Sequence, residues 1–76
     1  MNAQRRKSLL ELAAQAQAVL DAVEAIRDDE QEYLDNMPEG IKDGDKGDRA
    51  QEVIDYLDGA VDGLYSAIEG MESASE

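Results

Sequence analysis

Apolar residues recur at alternating spacings of three and four along two stretches of this chain, and its single proline stands between them. Counted from Leu9, the first series runs Leu9, Leu12, Ala16, Val19, Val23 and Ile26, then continues through Glu30, Tyr33 and Met37. The second runs Ala50, Ile54, Leu57, Val61, Leu64, Ile68 and Met71. A repeat of this period puts its members on one face of a helix, so the pattern predicts two amphipathic helices. Pro38 disfavours helical geometry at Met37, and Asn36 suits a helix C-terminus. The first helix is therefore expected over about residues 3–36. Gly40 and Gly44 punctuate a loop over 37–44. A second helix, capped by Asp or Gly near 43–45, is expected over about 45–72, with a frayed tail at 73–76.

So short a loop turns the helices antiparallel. The expected fold is all-α: one domain over residues 1–76, an antiparallel two-helix hairpin. Laid side by side, residues whose numbers sum to about 80 pair, so Val23 faces Leu57, Ile26 faces Ile54, Ala16 faces Leu64 and Leu9 faces Met71. Glu30 is the one charge on this seam; it falls opposite Ala50 with Lys46 and Arg49 nearby, which predicts a salt bridge closing the loop end. Two helices make a thin core, and helix 1 carries a second apolar strip of Leu10, Ala13, Ala14 and Leu20, with Gln17 among them. Alanines alone would serve helix propensity, but Leu10 and Leu20 add apolar bulk. The strip reads as an oligomer face that joins two hairpins into a homodimeric four-helix bundle.

The residues missing from the chain narrow its chemistry. It has no His, Cys, Trp or Phe. Without Cys there is neither a disulfide nor a thiolate metal site, and without His no Glu-x-x-His di-metal motif. Carboxylates are plentiful, as in Asp28-Asp29-Glu30, but acid–base catalysis also needs a pocket that shifts their pKa values, and a narrow hairpin offers none. Asp43-Gly44-Asp45-Lys46-Gly47-Asp48 invites a calcium reading. A calcium loop starting at Asp43 requires Gly at its sixth position and Glu at its twelfth, and these hold Asp48 and Ile54. Helix capping is the better account of those acids. The expectation is a protein that is not an enzyme and holds no metal or cofactor. No apolar run is long enough to cross a membrane, and Glu11, Gln15 and Gln17 interrupt what would otherwise resemble a signal peptide, so a cytoplasmic setting is expected.

The chain carries 19 acids against 7 bases, a net charge of −12. Such a chain repels nucleic acid and anionic lipid and attracts basic proteins. Residues 28–62 hold 13 acids and 3 bases, whereas residues 1–27 hold 3 acids and 4 bases. In the hairpin Arg5, Arg6 and Lys7 come beside Glu69, Glu72 and Glu76, so the terminal end is expected to neutralise itself and the loop end to stay acidic. The acids singled out for partner binding are Asp28, Asp29, Glu32, Asp35, Asp48, Glu52, Asp55 and Asp62. A purely solubilising face normally mixes both signs, and this one does not. Gly59, Gly63 and Gly70 recur on the outer face of helix 2, where each weakens the helix but lets another backbone approach.

Residues 24–64 also carry a local pattern: Glu24, Ile26 and Arg27, a run of acids, then Tyr33, Asp35, Asn36, Met37, Pro38 and Glu39, then a second acidic helix. In this it resembles small acidic helical-hairpin proteins encoded by phages and prophages, a type with no assigned activity, so no site residues carry over. Many of that type have a longer polar side chain and an aromatic near Gly44–Gly47, so the resemblance implies a looser start to helix 2 here. It implies a phage accessory protein in a bacterial cytoplasm. With the charge, this gives the leading functional expectation: a non-catalytic inhibitor that imitates DNA and occupies the groove of a basic, nucleic-acid-handling host defence protein. The alternative is a scaffolding module that associates through apolar helix faces, its acids serving solubility only.

Overall fold

The computed structural model describes all 76 residues as three helices: α1 Ala3–Asp35, α2 Glu39–Lys42 and α3 Asp45–Ala74. α1 has no Gly or Pro along its length. Asn2 caps it, its Oδ1 accepting the Arg5 amide at 2.8 Å. At the other end the Asn36 amide donates to the Glu32 carbonyl, and the chain leaves the helix before Pro38. The Pro38 carbonyl then accepts the amides of both Ile41 and Lys42, which winds the single turn of α2 inside the expected loop. α3 outlasts its expected end by two residues.

α1 and α3 lie antiparallel and in contact, forming a rod 58 Å long and 14 by 12 Å across. The buried residues on α3 are Gly47, Ala50, Ile54 and Ile68, with Leu57, Val61, Leu64 and Met71 half-buried, so its apolar stripe faces the partner helix as the spacing predicts. The interior of α1 is rotated. Its buried residues are Ala13, Leu20 and Leu34, flanked by half-buried Leu9, Ala16, Val23, Glu30 and Met37. Leu12, Val19, Ile26 and Tyr33, expected in the seam, are each more than half exposed. α1 therefore carries three apolar rows, and one facing helix covers only two of them.

The pairing has also slid. Leu34 packs with Ala50 and Ile54, Arg27 meets Asp58, and Glu24 meets Tyr65. Each α1 residue thus faces a point about six residues further along α3 than a simple flip of the chain gives. The cause is α2. It lies against the first turn of α3, and the buried cluster between α1 and α3 forms beyond it, at Ala50 and Ile54. Gly47 sits where a Cβ would run into the Lys42 backbone, which makes the start of α3 tight rather than loose. Glu30 forms no ion pair; Arg49 turns instead to Glu52, one turn along its own helix, at 3.1 Å.

Candidate functional site

Helical spacing assigns every residue of α1 and α3 to the seam, to the outer poles, or to one of two long sides. In an antiparallel pair, like flanks of the two helices meet, and the Glu24–Tyr65 contact identifies one such side. On it α1 presents Asp21, Glu24, Asp28 and Asp35. α3 presents Asp48, Asp55, Asp58, Asp62, Glu69 and Glu72. Lys7 is the one base among the flanking positions of this side. Ten of the 19 acids therefore share a single side of the rod.

Several of these carboxylates are held in place. Gln17, Gln31 and Gln51 each donate through Nε2 to the Asp four residues on, Asp21, Asp35 and Asp55, at 3.0, 2.9 and 2.9 Å. Such pairs stabilise a helix by about 0.2–0.5 kcal/mol each, and they fix the direction of the acid. This Gln-x-x-x-Asp spacing was legible in the sequence. Two polar contacts link the helices, both on this side: Arg27 Nε to Asp58 Oδ1 at 2.8 Å, and Tyr65 Oη to Glu24 Oε1 at 3.2 Å. Arg27 occupies a seam position. Its stem lies between the helices while its guanidinium reaches Asp58 and, at 3.6 Å, Asp28; the hydrogen bond to Asp58 raises its pKa further above its usual value.

Tyr65 donates to Glu24, and that hydrogen bond, with the nearby charge of Glu24, raises its pKa above the ordinary 10.0. Neutral Tyr65 is the form that makes the bond. Its contribution to the hairpin is therefore complete below the unfolded-state value and lost as pH rises through the higher folded value. In an ultraviolet titration, the difference between the wild type and Tyr65→Phe is expected to show a phenolate transition above pH 10.0, with Glu24→Gln moving it back down. A transition at the ordinary value would show that the bond does not form.

Of the eight acids singled out from the sequence, Asp28, Asp35, Asp48, Asp55 and Asp62 come together on this side. Glu32 and Glu52 lie at the outer poles, and Asp29 lies on the opposite side. At the terminal end no ion pair joins Arg5, Arg6 or Lys7 to Glu69, Glu72 or Glu76. The shared acids run from Asp48 to Glu72 along α3 but only from Asp21 to Asp35 along α1, so the acidic side stays weighted toward the loop end. The residues assigned to an oligomer face divide as well. Ala13 and Leu20 are buried in the intramolecular seam and are not available to a second copy. Leu10, Ala14 and Gln17 stay exposed, but beside Glu72 on the acidic side. Asp45 and Asp48 lie in the first turn of α3, where the helix dipole favours them.

No helix is long and apolar enough to cross a membrane. No family model, curated protein or solved structure matches the chain.

Proposed function

We propose that this hairpin is a non-catalytic binding module that presents its acidic side to the groove of a basic protein. The observation that supports this reading is the one-sided placement of the acids: two facing rows, one on each helix. Along α1, Asp21, Asp28 and Asp35 recur every seven residues, and along α3 so do Asp48, Asp55, Asp62 and Glu69. Seven residues of helix rise about 10.5 Å, so each row is a regular line of negative charge that a groove shaped for a nucleic-acid backbone can accept. In the setting implied by the phage resemblance, the partner is a nucleic-acid-handling host protein and the effect is inhibition. The second reading is an oligomerising scaffold, favoured by the exposed apolar row on α1.

A pull-down from bacterial lysate at low salt tests the charge mechanism. The captured partner is expected to elute as salt rises from roughly 50 to 500 mM, because screening shortens over that range. Asp35→Lys, Asp55→Lys and Asp62→Lys combined are expected to abolish capture and leave the circular-dichroism spectrum unchanged. Capture that survives the triple reversal sinks the mechanism.

A further inference from the structure

The side opposite the acids is unlike the rest of the surface. Along α1 it carries Leu12, Val19, Ile26 and Tyr33, exposed by 51, 52, 58 and 53%. Exposed Tyr56 adjoins this side on α3, and Ile41 continues it at the loop end, sharing a shallow groove with Tyr33 and Lys46. Six of the nine exposed large hydrophobics thus lie on one side, yet of the 19 acids in the chain only Asp29 falls among its helical positions. Arg5, Lys46 and Arg49 lie toward its two ends, leaving the middle uncharged.

On α3 the same side holds Val53 and Tyr56 toward the loop, and from there to its end it is lined by small residues: Ala60, Gly63, Ala67, Gly70 and Ala74. A Cβ added at Gly63 or Gly70 would meet nothing within 4 Å, so the hairpin itself leaves that strip unfilled. Over Leu12 to Ile26 a ridge of large side chains on one helix therefore runs beside a trough of small ones on the other.

We infer that this side docks a second copy of the chain, the α1 ridge of each hairpin lying in the α3 trough of the other. A ridge and a trough on the same surface are what a two-fold pair requires, since each copy supplies both halves of the fit. The area suffices: a side 58 Å by 14 Å is about 800 Å², near what each partner buries in a stable interface. Charge is compatible too. Pairing through this side places the two acidic sides on opposite outer faces, with both helix layers between them. Layers pack about 8–10 Å apart, so the acidic faces stand beyond a Debye length of about 8 Å at physiological salt. The oligomer reading given above rests on this interface, whereas the capture of a basic partner does not.

Sedimentation equilibrium on the full chain tests the inference. The wild type is expected at twice its 8.3 kDa mass. Val19→Glu with Ile26→Glu places two carboxylates in the middle of the ridge. Both positions are more than half exposed in the single hairpin, so its helix content should persist by circular dichroism. This variant is expected to weaken association by at least about a hundredfold and sediment as a monomer. Leu10→Glu, at an equally exposed position on the acidic side, is expected to remain dimeric. The charge-reversed variant with lysines at 35, 55 and 62 should also remain dimeric, so loss of capture and loss of pairing are read separately. A wild type that stays at 8.3 kDa at every concentration overturns the inference, as does a double variant that still pairs.

Discussion

Ile54→Ala is expected to lower the stability of the hairpin by about 2–5 kcal/mol, seen as a lower urea midpoint by circular dichroism. Ile54 is 1% exposed and packs with Leu34, Ala50 and Met37 toward the loop end of the hairpin. Truncation there removes apolar contact and leaves a cavity that the neighbouring helices only partly close. The core is thin, with seven buried residues among 76, so no second layer makes up the loss. Small domains hold only about 5–15 kcal/mol in total, and one side chain here carries a large share of that. Leu20→Ala, also at a 1% exposed position, is expected to cost a comparable amount. Leu10→Ala, at a 51% exposed position, should change stability by under about 0.5 kcal/mol. Equal losses at Leu20 and Leu10 would contradict the rotation of α1 described above.

Gly47→Ala and Gly59→Ala are expected to move stability in opposite directions, although both replace a helical glycine by the best helix former. In open space this change stabilises a helix by about 0.5–1 kcal/mol. Gly59 has nothing within 4 Å of the added carbon, so the full gain is expected there. At Gly47 the added carbon would fall on the Lys42 carbonyl group, which is backbone and cannot rotate away. α2 and α3 would have to part, and overpacking of this kind costs about 1–3 kcal/mol, enough to outweigh the propensity gain. Paired urea titrations of the two variants decide the point. Midpoints that both rise would show that α2 does not seat on α3.

The two long helices and the break at Asn36-Met37-Pro38 were legible because period and proline act locally. The α3 stripe was legible because its large aliphatic residues, Val53 aside, fall in only two rows. α1 was harder to read. Leu12, Val19 and Ile26 are more strongly apolar than the row of Ala13, Leu20 and Leu34, which Arg27 interrupts. Arg27 belongs in the seam all the same, because its long stem can lie between helices while its charged end reaches Asp58. The slide of α3 was hidden for a different reason. Four residues, Glu39–Lys42, are too few to show a period, yet they displace the whole pairing. The excess of acid could be counted from the sequence, but its side could not, since side depends on rotation and rotation on tertiary packing.

The elongated shape has a hydrodynamic consequence. A globule of 76 residues has a radius of gyration of about 11 Å, whereas this hairpin has 17.2 Å. A single copy therefore drags through solvent like a heavier, rounder particle, and gel filtration against globular standards will overstate its mass. Lateral docking doubles the mass by thickening the rod while its length stays near 58 Å. In small-angle scattering the signature of pairing is thus a doubled forward intensity at an almost unchanged maximum dimension.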